Sequence, residues 1–126
     1  MTYEHSIHVI DTHTVGQNTR IVIGGLPLLR GDTMMEKKEY FMRHYDNIRR
    51  FLMHEPRGHA DMFGAILTEP TLPTADYGVL FLDGQGSLNM CGHGTIGVAT
   101  VLVEQGMVEV KEPYTHLVLE MPAGLI

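Results

Sequence analysis

The segment most informative about the fold is Cys91-Gly-His-Gly-Thr-Ile-Gly-Val-Ala-Thr-Val-Leu-Val-Glu-Gln-Gly106. It predicts a helix of about four turns, which Gly106 is well suited to end. From Ile96 to Val103 every residue is apolar or small. A helix of this composition has no polar face to turn toward water, so we expect it to be buried on all sides.

The rest of the chain predicts a sheet around this helix. Apolar alternation and short apolar runs indicate strands at 5–14, 19–23, 62–67, 77–82, 107–111 and 115–121. Residues 33–54 carry apolar side chains three, four and seven positions apart, which predicts one amphipathic helix. A capping box of Thr33 and Glu36 begins it, and Pro56 and Gly58 end it. We therefore expect an α+β fold, a single domain over 1–126 whose curled β-sheet or barrel wraps around a buried central helix.

Composition excludes several classes of protein. The chain has 126 residues, with 15 Asp and Glu against 9 Lys and Arg, and a net charge of −6. It has no basic run, so we expect no nucleic-acid partner. A single cysteine allows neither an internal disulfide nor a paired-cysteine metal site. The first residues lack the basic and apolar regions of a signal peptide, and no apolar run is long enough for a membrane span, so we expect a cytoplasmic protein.

Cys91 is the main candidate for chemistry. It lies where a Gly-rich loop, residues 83–87, leads into the predicted helix, and Gly92, His93 and Gly94 follow it. The start of a helix carries partial positive charge and unpaired N–H groups, which favour a thiolate. Small residues at 92 and 94 let a ligand carboxylate approach those N–H groups, and His93 can adjust the protonation of the thiol or supply another donor. The alternative is a buried cysteine that acts as a small apolar side chain.

Three other patterns have simpler interpretations. The segment from Gly92 to Gly97 matches G-x-G-x-x-G, but it follows the preceding strand by about nine residues, so we do not expect a nucleotide site. The segment from His54 to His59 looks like a zinc-protease helix, but its proline and glycine are incompatible with a helix, so we expect no metal. We expect Arg57 to pair with a carboxylate that the sequence does not identify. The polar cluster Asp11-Thr-His-Thr says little by itself.

Five motifs then occur in order: Asp11-Thr-His-Thr-Val-Gly, Thr19-Arg-Ile-Val-Ile-Gly-Gly, Glu55-Pro-Arg-Gly-His, Asp61-Met-Phe-Gly and Asn89-Met-Cys-Gly-His-Gly-Thr-Ile-Gly. Together they closely resemble the proline racemase family, and the resemblance extends through Pro122-Ala-Gly-Leu-Ile126. It implies the diaminopimelate-epimerase-like fold, in which two similar lobes each wrap a sheet around a helix. The chain resembles the N-terminal lobe, and its apolar end suggests a boundary inside a longer protein.

The resemblance also implies a mechanism without cofactor or metal. Two cysteines on opposite faces of the substrate α-carbon exchange its proton, and Cys91 matches the first of them. Gly92 and His93 would offer N–H groups to the substrate carboxylate. Phe63 matches an aromatic residue that packs on the substrate ring, although a core position is an equal alternative. The second cysteine and an aspartate that contacts the substrate amine belong to the second lobe, and the full-length protein is expected to be a homodimer.

Several functions stay open at this point. The family includes proline racemases, 4-hydroxyproline 2-epimerases and trans-3-hydroxyproline dehydratases, which differ largely in second-lobe residues. The motifs look closest to the racemases. A different class of function is a stand-alone, non-catalytic binding domain, which the absence of a second thiol motivates. Two copies of the chain could supply both thiols only if their Cys91 residues faced one pocket.

Overall fold

A computed structural model describes residues 6–14, 16–59, 61–88, 91–111 and 114–126. Its strands are β1 (His8–Thr14), β2 (Gln17–Gly24), β3 (Phe63–Thr68), β4 (Tyr77–Asp83), β5 (Ser87–Leu88), β6 (Leu119–Met121) and β7 (Gly124–Leu125). Its helices are α1 (Met34–His44), α2 (Asp46–Met53) and α3 (Gly92–Glu104). Parts of the predictions above fall on residues 1–5, Val15, Asn89 and Met90, which lie outside the described residues.

The described strands form one mixed sheet in the order β1-β2-β3-β4-β6-β7, with β5 paired to β4. β2 runs parallel to β3 and β4 runs parallel to β6, while the other pairs are antiparallel. The sheet curls around α3, whose apolar side chains share one core with residues of β2, β3, β4 and β6. Its end strands are not paired with each other among the described residues. The predicted α+β fold with a central helix is therefore confirmed, as an open curled sheet.

β4 shows how the sheet is buried on both faces. Val79 and Phe81 belong to the core shared with α3, whereas Leu80 and Leu82 belong to a second core shared with α1 and α2. All four side chains are at most 1% exposed, and burial of each contributes about 1.5–3 kcal/mol. A strand buried on both faces appears in the sequence as an unbroken apolar run. The layer that α1 and α2 form on the outer face was not part of the prediction.

The predicted single helix at 33–54 is wrong, because the structure has two helices that meet at Tyr45. The backbone of Tyr45 leaves the helical region, at φ −131° and ψ 22°. Asp46 then opens α2, and its carboxylate lies 2.6 Å from the guanidinium of Arg49. An acidic side chain at this position stabilises the start of a helix. Because a second helix begins directly after the first, the apolar spacing in the sequence continues across the break. The predicted cap is present, since the Thr33 hydroxyl accepts a hydrogen bond from the N–H of Glu36.

The strand predicted at 107–111 is wrong, and the one at 115–121 shrinks to β6. The carbonyl of Met107 accepts a hydrogen bond from the Tyr77 hydroxyl, and the N–H of Lys111 donates to the Thr115 hydroxyl. The N–H of Met107 donates to the carbonyl of Leu102 in α3, so these three backbone groups are not available to a neighbouring strand. The short strands β5 and β7 were not predicted.

The prediction that α3 is buried on all sides is also wrong. Gly94, Gly97, Val98, Val101 and Leu102 are buried. On the opposite face Ile96 is 57% exposed and Val103 is 39% exposed. The reason is that the described strands cover only one side of the helix, which apolar composition alone does not reveal. None of the helices in the described part of the chain is long and apolar enough to cross a membrane.

Candidate active site

Three elements meet at one edge of the sheet. β3 begins at Phe63 and β4 ends at Asp83, and these two residues are partners in the antiparallel register. From Asp83 the chain runs through the Gly-rich loop and β5 to Cys91, where α3 begins. The Asp83 carboxylate accepts hydrogen bonds from the N–H groups of Gln85 and Gly86, at 2.9 and 2.8 Å. These hydrogen bonds hold the loop in a tight turn between β4 and β5.

Cys91 is the N-cap residue of α3, with an extended backbone at φ −150° and ψ 115°. Its carbonyl oxygen accepts hydrogen bonds from the N–H and the hydroxyl of Thr95, at 2.9 and 2.7 Å. Its thiol does not cap the helix, and the first turn carries no acidic side chain. Since the first N–H groups of a helix have no acceptor within the helix, this end of α3 is electrostatically suited to an anion.

His93 contacts both of the other predicted site side chains. The sulfur of Cys91 lies 3.5 Å from Nδ1 and 3.5 Å from Nε2 of His93. The Phe63 ring meets the same imidazole edge to face, with 4.6 Å between the ring centroids and 84° between the ring planes. Cys91 is only 8% exposed. The structure therefore brings Cys91, His93 and Phe63 into one cluster, although they come from two separate motifs.

Phe63 was open to two interpretations, a position that contacts the substrate and a position in the core, and the structure is compatible with both. It packs against the core shared with α3, and it also contacts His93 at the edge of that core. Its side chain is neither fully buried nor fully exposed. Phe63 is thus placed to line a site on one side while it packs against apolar residues on the other.

The two glycines beside Cys91 differ in what surrounds them. Among the described residues, a Cβ added to Gly92 would have no atom within 4 Å apart from its chain neighbours and its own helix. A Cβ added to Gly94 would lie 2.8 Å from the Phe81 ring and 3.3 Å from the Cys91 sulfur. Gly92 therefore faces open space, where a ligand can approach its N–H. Gly94 allows α3 to pack closely on the sheet, a role that the sequence analysis did not anticipate.

The histidines at 54 and 59 lie in different surroundings. His54 Nε2 lies 2.5 Å from the carbonyl of Gly84 in the Gly-rich loop. His59 contacts the side chain of Asn18 and the N–H of Asp61. In the part of the chain that the structure describes, no three His, Cys, Asp or Glu side chains cluster as they would around a metal ion.

The expected ion pair of Arg57 is replaced by a different contact. Its guanidinium lies 3.7 Å from the centre of the Phe51 ring, and no described carboxylate pairs with it. The arginine that forms an ion pair nearby is Arg20, which donates to both carboxylate oxygens of Asp11 at 2.9 and 3.1 Å. Arg20 also donates to the carbonyls of Leu52 and Arg57. Arg20 was missed, although its position opposite Asp11 in the β1–β2 register is a signal that hairpin pairing could have revealed.

Comparison with known proteins identifies the family. Residues 9–126 match the profile of the family described as Proline racemase, so the chain belongs to the proline racemase family. It is 56% identical over 126 residues to the protein of Acetoanaerobium sticklandii named proline racemase. It is 55% identical over 126 residues to the 4-hydroxyproline 2-epimerase of Streptosporangium roseum. The chain spans 38% of the length of each of these relatives.

Solved structures agree on the fold. A hydroxyproline epimerase from Agrobacterium vitis, crystallised with trans-4-hydroxy-L-proline, superposes with a TM-score of 0.90 at 31% identity, and the match covers 99% of this chain and 37% of that one. A probable proline racemase from Agrobacterium radiobacter, with bound carbonate, has a TM-score of 0.88 at 35% identity over 95% of this chain and 36% of that one. A PhzF-family protein from Bacillus anthracis shares the fold alone, at 22% identity and a TM-score of 0.58 over 94% of this chain and 33% of that one.

Proposed function

We propose that this chain is the Cys91-bearing lobe of an isomerase that inverts the α-carbon of proline without a cofactor. The observation that carries the proposal is the cluster of Cys91, His93 and Phe63 at the open start of α3. Membership of the proline racemase family supports it. The lobe is proposed to act within a cytoplasmic homodimer of the full-length protein.

The proposed reaction is a proton exchange at one carbon atom. Cys91, as a thiolate, removes the α-proton from one face while a thiol on the opposite face donates a proton, and the reverse reaction exchanges these roles. No other bond forms or breaks, so the product is the mirror image of the substrate. A thiol pair suits this task because the same group must accept and release a proton equally well.

Stabilisation of the carbanion-like transition state falls to the start of α3. The N–H groups of Gly92 and His93 are proposed to hold the substrate carboxylate, onto which negative charge spreads as the proton leaves. Donors that are already aimed at developing charge need no reorganisation during the reaction. Support comes from the open space beside Gly92 and from the absence of acidic side chains in the first turn.

His93 and Phe63 are proposed to shape the approach to the thiol. The imidazole can exchange a hydrogen bond with the Cys91 sulfur at 3.5 Å. Phe63 also contacts that imidazole, and it is proposed to present an apolar ring surface to the pyrrolidine ring of the substrate. The opposite base, proposed to be a second cysteine, and the aspartate that contacts the amine must come from outside these 126 residues, whose only cysteine is Cys91.

The full-length protein provides the test. It should convert L-proline to D-proline in heavy water and place deuterium at the α-carbon of the product, as followed by chiral chromatography and NMR. Cys91→Ala should abolish this exchange, while Phe51→Leu, at an exposed position of α2, should leave it intact. If the wild-type protein neither forms D-proline nor incorporates deuterium, the racemase assignment is wrong.

Two alternatives stay within the family. A hydroxyproline epimerase with bound trans-4-hydroxy-L-proline superposes on almost the whole chain, so the same experiment should include that substrate. Inversion of hydroxyproline with no turnover of proline would indicate an epimerase. Loss of water from trans-3-hydroxy-L-proline would indicate a dehydratase.

A stand-alone binding domain is the alternative from another class. The single cysteine in 126 residues motivates it, because exchange across both faces of a carbon needs two bases. We expect the isolated 126-residue chain to be inactive. Rapid racemisation by that purified chain would contradict the proposed division of the two bases between lobes.

A further inference from the structure

His59 belongs to a sequence motif that the proposed reaction does not use. Its carbonyl oxygen accepts a hydrogen bond from the N–H of Met62, at 3.1 Å. Its ring Nδ1 accepts another from the N–H of Asp61, also at 3.1 Å. His59 therefore holds the two backbone N–H groups directly before Phe63, the first residue of β3.

The other ring nitrogen of His59 reaches a different part of the chain. Nε2 lies 3.2 Å from Nδ2 of the side-chain amide of Asn18, 41 positions earlier in the sequence. Because Nδ1 accepts a hydrogen bond, the proton of the neutral ring is on Nε2, which must donate. The structure places Asn18 Nδ2 beside Nε2, and an amide rotated by 180° presents Oδ1 to this donor at the same position. In either orientation the amide of Asn18 and the ring of His59 are in contact.

The contact lies at the point where β2 and β3 begin to pair. Thr19, next to Asn18, is the partner of Phe63 in the parallel register. A shift of one residue in a strand turns every side chain to the opposite face of the sheet. Such a shift would remove Phe63 from the imidazole of His93, 4.6 Å away between ring centroids.

We propose that His59 and Asn18 are positioning residues for the Cys91 site. Their link keeps β3 in register with β2, which places Phe63 against His93 and His93 against the Cys91 sulfur. Neither residue touches the thiol, so the effect passes through Phe63. The inference rests on the proposed function only for its activity readout.

The test uses the full-length protein with selectively labelled histidine rings. His59→Asn keeps a short acceptor for the N–H two residues later but cannot reach Asn18. Asn18→Leu removes the amide at similar volume, and Phe63→Leu shows how far the His93 ring signal moves when its aromatic neighbour is lost. His44→Asn is the control, since His44 stacks on Tyr40 in α1.

We expect His59→Asn and Asn18→Leu each to move the His93 signal in the direction that Phe63→Leu does, at a temperature where all variants are folded. Each should lower kcat for α-proton exchange by about tenfold, since displacement of a positioned group by about an ångström lowers the rate by up to about 100-fold. The double variant should be no worse than either single one, because both remove the same link. His44→Asn should change neither quantity.

The possible results separate the two proposals. If both variants melt at lower temperature but leave the His93 signal and kcat unchanged, the two residues are merely structural and the inference is wrong. Additive losses in the double variant would also overturn it. If the wild-type protein has no activity, the proposed function fails, while the His93 signal still decides the inference. Should His59→Asn fail to fold, Asn18→Leu alone gives the same readout.

Discussion

Gly94→Ala should destabilise the protein, whereas Gly92→Ala, two residues earlier in the same helix, should not. A Cβ at position 94 would lie 2.8 and 3.1 Å from two carbons of the Phe81 ring and 3.3 Å from the Cys91 sulfur. Phe81 is 1% exposed and cannot move aside freely. In the part of the chain that the structure describes, a Cβ at position 92 meets nothing within 4 Å outside its own helix and chain neighbours.

The expected size follows from two opposing effects. Overpacking of a filled core costs about 1–3 kcal/mol, and alanine regains up to about 1 kcal/mol over glycine inside a helix. We therefore expect the free energy of unfolding to fall by about 1 kcal/mol for Gly94→Ala. For Gly92→Ala only the helix preference acts, so stability should be unchanged or slightly higher.

Gly92→Ala, the variant with unchanged stability, should nevertheless bind substrate more weakly than the wild type. The added methyl group of Gly92→Ala enters the space where the substrate carboxylate is proposed to bind. We expect its KM for proline to rise by roughly tenfold or more, since the loss of a hydrogen bond to a charged group costs about 1.5–3 kcal/mol.

Urea unfolding of the full-length variants, followed by circular dichroism, measures the first effect, and α-proton exchange in heavy water measures the second. A Gly94→Ala variant as stable as the wild type would show that α3 does not pack as closely on Phe81 as the structure indicates. Full activity of Gly92→Ala would refute the proposed carboxylate position.

Three further predictions concern stability, each measured by urea unfolding. Leu80→Ala should cost about 2–5 kcal/mol, because it opens a cavity in the core under α1 and α2; a cost below 1 kcal/mol would contradict that packing. Arg20→Leu should cost about 1–3 kcal/mol, since it leaves several acceptors unpaired, and Arg57→Leu should cost less. Burial raises the pKa of Glu120, but hydrogen bonds from Thr71 and from the backbone N–H of Leu72 outweigh burial and hold that pKa below its usual value. The stability that ionised Glu120 contributes is present above the pKa of the unfolded state and is lost as the pH falls through the lower pKa of the folded state. Glu120→Gln should therefore reduce the dependence of the unfolding free energy on pH below about pH 4.5. An unchanged pH dependence would refute this.

Strand positions were predictable where one face or both faces of the sheet are buried. The unbroken apolar run of β4 indicates a strand that is buried on both faces. The alternation of apolar and polar residues in β1 is typical of a strand at the edge of the sheet. The start of α3 at Cys91 was predictable too, because glycines and a change of period mark it. These signals are local, so the sequence carries them without the rest of the fold.

Predictions failed where a neighbour outside the local window decided the outcome. The apolar period runs through Tyr45, yet the chain turns there so that α1 and α2 can both pack on the curled outer face of the sheet. Residues 107–111 alternate like a strand, but the carbonyl of Met107 and the N–H of Lys111 form hydrogen bonds with side chains outside the segment. Arg57 was expected to pair with a carboxylate that the sequence does not identify, and among the described residues its guanidinium instead lies over the ring of Phe51.

Local sequence patterns therefore predict the four long strands β1 to β4, the family and the position of Cys91 at the start of a helix. Which side chains meet at that helix start depends on the tertiary structure. The contact of Phe63 with His93 and the link of His59 to Asn18 both depend on the register between β2 and β3. Such a register is set by the packing of whole strand faces against the two cores, so no short stretch of sequence contains it.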